Sequence, residues 1–131
     1  MVAAANGEIE RLAAGSYVSL TTFKKDGTGV ATPVWVTSDG ARLFVWTEAT
    51  SGKVKRIRNG GRVLLAPCDA RGGLQGTQVE GTARLVEDQA GMATIQGLLT
   101  KKYGLQFRVL STFAAVFRRG GTRVGIEITV P

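Results

Sequence analysis

The chain has 131 residues, 44% of them hydrophobic, which suits one folded domain spanning residues 1–131. It contains no histidine, which excludes serine–histidine hydrolysis and histidine-ligated zinc or haem, and we expect no metal site. The one cysteine, Cys68, lies in an apolar stretch and is expected to be buried and unreactive.

No apolar stretch approaches the roughly 20 residues of a membrane-spanning helix, and the first residues are acidic where an export signal is basic. We therefore expect a cytoplasmic protein without a membrane partner.

The formal net charge of +7 is unevenly distributed. Six cations lie between positions 50 and 71 against the single acid Asp69, which predicts an anionic partner there. A second cationic stretch, residues 101–123, contains no acid. Either an acidic ligand is approached from two sides, or much of this charge is solvated surface. The six cations are Lys53, Lys55, Arg56, Arg58, Arg62 and Arg71.

The first part of the chain predicts a three-stranded β-meander. Residues 16–24, 30–36 and 42–47 are rich in β-branched and aromatic side chains, and Asp-Gly pairs mark tight turns after the first and second strands. Pro33 cannot donate a hydrogen bond to a neighbouring strand. We therefore expect Pro33 at an edge, at a bulge, or where a ligand replaces a strand.

The later part of the chain mixes helices and strands. Val54 and Ile57 are three residues apart among cations, which predicts a short amphipathic helix from about residue 51. Helical apolar spacing between residues 88 and 119, interrupted near Gly104, predicts two more helices. Strands are expected over residues 62–68, 78–86 and 123–130, the last of which would close a barrel.

Residues 45–58 carry the strongest functional signal, because a strand ends there in hydroxyl and glycine residues and a cationic helix begins directly. Free N–H groups at a helix N-terminus attract anions, and Thr50 or Ser51 could add a hydroxyl. Lys53 and Arg56 share one face of the helix. The pattern predicts a phosphate site, but a capped and solvated basic helix would show the same pattern, so the residues alone leave both interpretations open.

Several separate motifs resemble one protein family. Trp46-Thr47, then Ser51-Gly52-Lys53 and a helix leading into a strand, resembles the phosphate-binding passage of the pyridoxamine-phosphate-oxidase-like split barrels. Within that superfamily the chain resembles the actinobacterial branch that uses the deazaflavin coenzyme F-420. The motifs that carry this second resemblance cover nearly the whole chain and occupy residues 20–23, 31–35, 45–49, 53–57 and 66–72.

The resemblance implies a mainly β fold of the α+β class, a six-stranded antiparallel split β-barrel with a short helix after the third strand and two helices before the last. It implies a homodimer with cofactor sites at the subunit interface. It also implies a reductase that moves a hydride from reduced F-420 to a conjugated organic acceptor. No catalytic residue is assigned, although Tyr17, Tyr103 or solvent could donate a proton. The implied cofactor contacts are Thr32, Pro33 and Val34 beside the ring, Trp46 and Thr47 near the ribityl chain, Ser51, Lys53 and Arg56 around the phosphate, and Lys55, Arg58 and Arg71 along the acidic tail.

Alternative functions stay open at this point. The flavin-binding oxidases carry an arginine where this chain has Gly52, but the same fold could still hold FMN as an oxidase or electron carrier. A non-enzymatic deazaflavin carrier is a second alternative. A nucleic-acid-binding β-barrel is a third, although the cations gather on one helix rather than over a sheet. Trp35 and Trp46 could face a ring system, but aromatic residues in a meander more often form core.

Overall fold

A computed structural model of the protein describes residues 2–104 and 123–131, with side chains from residue 7 onward. The six strands form a closed antiparallel barrel in the order β1-β2-β3-β6-β5-β4, which confirms the predicted fold class. The predicted helix beyond Gly104 lies outside the described residues. In chain order the elements are α1 (Val2–Ala13), β1 (Tyr17–Phe23), β2 (Gly29–Ser38), β3 (Leu43–Glu48), α2 (Gly52–Asn59), β4 (Arg62–Cys68), β5 (Val79–Val86), α3 (Gln89–Tyr103) and β6 (Arg123–Thr129).

Alternating apolar residues fill the interior of the barrel. Val18 and Leu20 on β1, and Val45 on β3, are fully buried in one cluster because alternate residues of a strand point to the same face. Val45 lies opposite Ile126 on β6, which belongs to the same cluster. This alternation explains why the strand positions were predictable from the sequence.

Two short helices cover the two ends of the barrel. Val54 and Ile57 of α2 are buried, as their spacing predicted, at the end where β1 finishes and β4 starts. Ile9 and Leu12 of α1 are buried in the barrel cluster at the opposite end, where β1 starts. The sequence analysis did not predict α1. The three-residue spacing of Ile9 and Leu12 was the available signal.

Helix α3 packs on the outer face of β3 and β6 through a second apolar cluster. Ile95 approaches Gly125 so closely that a Cβ atom at position 125 would lie 2.2 Å from its Cδ1 atom, so a side chain there would displace Ile95. Trp35 stacks on Tyr103 with ring centroids 4.6 Å apart, and Trp46 packs against the same cluster. Both tryptophans therefore contribute to core packing.

The last turn of α3 fixes the place where β1 and β2 separate. Lys102 donates to the carbonyl oxygens of Ala13, Gly15 and Val36 at 2.7, 2.8 and 2.7 Å. The Tyr103 hydroxyl accepts from the Val36 N–H at 3.0 Å. These two side chains satisfy backbone groups that β1 no longer reaches.

The barrel is split between β2 and β3. Residues 36–38 of β2 pair with β3, whereas residues 29–35 pair only with β1 among the described strands. Pro33 lies in this open stretch, which confirms the expected edge position. No helix in the described ranges combines the length and the apolar character needed to cross a membrane.

A candidate anion site at the α2 end of the barrel

The site is organised around the first turn of α2, which follows β3 after only three residues. Ser51 is the N-cap and has extended backbone angles, φ −67° and ψ 155°. The Ser51 carbonyl accepts the first helical hydrogen bond from Lys55 N at 3.4 Å. The N–H groups of residues 52–54 therefore have no acceptor within the helix. These N–H groups and the helix dipole make the region electropositive.

The Ser51 hydroxyl is buried, yet it has no hydrogen-bond partner among the described residues. It does not cap α2, although a serine at this position ordinarily bonds to an N–H group of the first turn. An unpaired buried hydroxyl costs about 1–3 kcal/mol. A ligand oxygen at the helix N-terminus would give this hydroxyl its missing partner.

Lys53 and Arg56 are brought together as two partly buried cations beside Ser51. Burial, reinforced by the positive charge of Arg56, lowers the pKa of Lys53 from its ordinary 10.5. No described carboxylate forms a salt bridge with either residue. Their mutual repulsion would be relieved by a bound anion.

Arg56 is held by a contact that the sequence did not reveal. Its Nε donates to the Thr22 Oγ1 on β1 at 2.6 Å, across 34 positions of sequence. Its guanidinium occupies the space beside Gly52, where an added Cβ would lie 2.6 Å from Nη1. Gly52, the departure from the flavin-binding oxidases, therefore leaves room for the side chain of Arg56.

Two clefts of about 350 and 360 Å³ extend from this helix. We call them together the basic cleft. They share Lys24, Lys25 and Asn59, which line both. The hairpin lysines were not candidate residues in the sequence analysis, because only the fold brings the β1–β2 turn beside α2. The other lining residues are Gly52, Lys55 and Arg56 in the first cleft, and Phe23, Gly27, Gly60 and Arg62 in the second.

The split between β2 and β3 places the predicted ring contacts. Continuing the register of the paired residues 36–38 would set Val34 opposite Thr47, but the strands part there. Thr32 and Val34 share the face of β2 that lines the barrel interior, opposite Leu20 and Val18 of β1, and Pro33 lies on the other face. Thr47 is buried near the end of β3, four residues before the α2 N-cap.

Other predicted residues lie elsewhere. Trp46 points away from the split toward α3. Arg58 forms a salt bridge with Glu87, and Arg71 lies in the β4–β5 loop. Cys68 is buried as expected, and burial raises the pKa of its thiol. Across the described ranges no three potential ligands cluster in a way that would hold a metal ion.

Burial also makes Tyr103 a weaker acid. It raises the pKa of Tyr103 from 10 to about 12. The hydroxyl proton lies between the carbonyl oxygens of Ser16 at 2.6 Å and Val36 at 2.8 Å. The role that these bonds support for Tyr103 is structural.

Comparison with solved structures supports the barrel architecture. A conserved hypothetical protein from Mycobacterium tuberculosis aligns with a TM-score of 0.69 and 22% identity, covering 95% of this chain and 78% of that one. An F-420 reductase aligns with a TM-score of 0.62 and 21% identity, covering 93% and 92%. The heme storage protein HutZ from Vibrio cholerae aligns with a TM-score of 0.68 and 10% identity, covering 97% and 90%. At these identities the similarity shows the fold alone.

Comparison with family models is more specific. No curated protein matches the chain. The model of the pyridoxamine 5'-phosphate oxidase family matches residues 7–130, which include α2, both sides of the split and the closing strand β6. The chain therefore belongs to the pyridoxamine 5'-phosphate oxidase family.

Proposed function

We propose that the protein is an F-420-dependent oxidoreductase that passes a hydride from the reduced deazaflavin to a conjugated organic acceptor. The observation that carries the proposal is the buried, unpartnered hydroxyl of Ser51 beside Lys53 and Arg56. A phosphate group would accept hydrogen bonds from this hydroxyl and from the first N–H groups of α2. It would also neutralise two cations that no described carboxylate pairs with.

Four of the other predicted contacts lie along the split, where a ring system attached to that phosphate would lie. The open stretch of β2 contributes Thr32, Pro33 and Val34, and Thr47 lies across the split. These residues would orient the ring, while α2 fixes the other end of the cofactor. The bound deazaflavin would supply the hydride-transfer chemistry, so the protein's task is orientation and the exclusion of water.

The basic cleft favours F-420 over FMN. FMN ends at its phosphate, whereas F-420 continues into a tail with several carboxylates. Lys24, Lys25 and Lys55 line a cleft that starts at Gly52 and Arg56, where the phosphate is proposed to lie. Arg58 is paired with Glu87, so we assign the tail to the hairpin lysines and Lys55 rather than to Arg58. The F-420 reductase among the structural neighbours is compatible with this assignment.

The other candidate functions make different demands. An FMN oxidase or electron carrier would use the phosphate site but not the hairpin lysines. A deazaflavin carrier would bind F-420 without turnover. Heme storage, the function named for the Vibrio cholerae neighbour, would need an axial ligand other than histidine, since the chain has none.

Substitution of the anion site tests the proposal. We expect Lys53→Ala and Arg56→Ala each to weaken F-420 binding about tenfold, since each removes a charge-assisted contact to phosphate. Lys101→Ala removes an exposed lysine of α3 and serves as the matched control. Fluorescence titration measures the dissociation constants. If Lys53→Ala and Arg56→Ala bind F-420 as tightly as the control Lys101→Ala, the phosphate assignment is refuted.

The assignment of the tail has its own test. We expect Lys24→Ala combined with Lys25→Ala to weaken F-420 binding and to leave FMN binding unchanged, because FMN has no carboxylate tail. A screen of conjugated acceptors with reduced F-420 then separates an enzyme from a carrier. Binding without turnover on every acceptor would favour the carrier.

A further inference from the structure

We propose that Thr22 and Gly52 are positioning residues that hold the Arg56 guanidinium in the anion site, an inference that rests on the proposed function. The sequence pattern does not suggest that either residue contacts Arg56. Both touch Arg56 in the structure, one by a hydrogen bond and the other by leaving space. Together they form a seat for a cation that has no described acidic partner.

Thr22 supplies the fixed side of the seat. It is 1% exposed and lies on β1, a wall of the barrel, whereas Arg56 lies on the helix that covers the barrel end. The 2.6 Å bond from Arg56 Nε to Thr22 Oγ1 therefore joins a side chain of α2 to a strand of the barrel wall. Arg56 has five N–H groups, and this bond uses only one. Four N–H groups remain for a ligand.

Gly52 supplies the open side of the seat. A Cβ atom there would lie 2.6 Å from Arg56 Nη1 and 3.3 Å from both Cζ and Nη2, so the guanidinium lies where a side chain would begin. Glycine is a poor helix former and gives no benefit to the first turn of α2. A side chain at position 52 would therefore displace the guanidinium from this place.

The choice of a hydroxyl partner preserves the charge of Arg56. A carboxylate at position 22 would also hold the guanidinium, but it would cancel the charge that the anion needs. Thr22 is neutral, and Arg56 stands beside Lys53 with no described acid pairing either one. The seat thus fixes direction while leaving the positive charge available for a ligand.

Conservative substitutions test this arrangement with two probes, F-420 by fluorescence and inorganic pyrophosphate by thermal shift. Thr22→Val keeps the shape but removes the acceptor, and we expect about fivefold to tenfold weaker binding of both probes. Thr22→Ser should retain wild-type affinity. Gly52→Ala should weaken both probes similarly. Gly97→Ala is its control, because Gly97 is exposed on α3, does not line the basic cleft, and a Cβ there would meet nothing within 4 Å.

A double substitution separates positioning from general structural damage. Thr22→Val should add nothing to Arg56→Ala, because the two changes remove one interaction. The inference alone is overturned if Arg56→Ala weakens binding while Thr22→Val and Gly52→Ala bind as wild type. If F-420 fails to bind but pyrophosphate shows the expected pattern, the F-420 function fails and the seat stands. If neither probe binds the wild type, both fail. Should Thr22→Val not fold, the comparison of Gly52→Ala with Gly97→Ala decides.

Discussion

At the scale of single residues, the anion site depends on groups left without partners by the protein itself. The Ser51 hydroxyl is buried and unbonded among the described residues, and Lys53 and Arg56 repel each other. The unbonded hydroxyl and the repulsion between the two cations each destabilise the ligand-free protein. The same features would stabilise a complex with an anion, because a phosphate satisfies the hydroxyl and both charges at once.

The lowered pKa of Lys53 predicts a pH-dependent affinity. A bound anion favours the charged amine, so F-420 affinity should fall as pH rises through the lowered pKa of Lys53 toward 10.5. The folded-state pKa lies below the unfolded value, so the stability of the ligand-free protein should rise over the same window. We expect Lys53→Arg to remove both trends, because arginine stays charged. Titrations from about pH 7 upward test this, and identical profiles for the two proteins would contradict it.

At the scale of elements, α3 stabilises the point where β1 and β2 diverge. Lys102 and Tyr103 bind backbone groups of the α1–β1 connection and of Val36. The open stretch of β2 begins directly beside this point, at residue 35. Helix α3 therefore helps to hold one side of the split in place.

Loss of the Tyr103 hydroxyl should destabilise this junction. Tyr103→Phe keeps the stacking on Trp35 but leaves the Val36 N–H without its acceptor, and we expect the free energy of unfolding to fall by about 1–3 kcal/mol. The folded-state pKa of Tyr103 is raised to about 12, so its contribution is complete below pH 10 and is lost as pH rises toward 12. Urea unfolding across this range tests both statements. A variant as stable as wild type at neutral pH would contradict the role of this hydroxyl.

The elements also show what sequence alone could predict. The strands and α2 followed from local alternation and helical spacing, so their positions agree within a few residues. Thr22 and the lysines of the β1–β2 hairpin were missed because their roles come from contacts across the barrel end. The family resemblance implied that Trp46 lies near the ribityl chain, whereas β3 directs its side chain to α3. Local pattern therefore gave α2 and its cations, but not the partners that orient them.

At the scale of the whole molecule, the distribution of charge distinguishes the anion site from the rest of the surface. Among the described residues, the arginines that pair with carboxylates include Arg11, Arg42, Arg58, Arg62 and Arg84. The cations without such a described partner include Lys53 of α2 and four residues that line the basic cleft, Lys24, Lys25, Lys55 and Arg56. Within the described ranges, cations without a salt bridge therefore gather where the cofactor is proposed to bind.

The proposed assembly is a homodimer in which a second subunit covers the split. We expect sedimentation to give about twice the 13.8 kDa of one chain, with a melting temperature that rises with protein concentration. Dimerisation would exclude water from a site that is otherwise bounded by one chain. A monomer at all concentrations with undiminished F-420 binding would show that one subunit is sufficient.

The measurement that tests the central claim most directly is a fluorescence titration of the wild-type protein with F-420 and, in parallel, with FMN at the same ionic strength. We expect tight binding of F-420 and weaker binding of FMN, because only F-420 has both a phosphate for α2 and a carboxylate tail for the basic cleft. Tighter binding of FMN would move the protein to the flavin-binding side of the family. Binding of neither cofactor would contradict the proposed function.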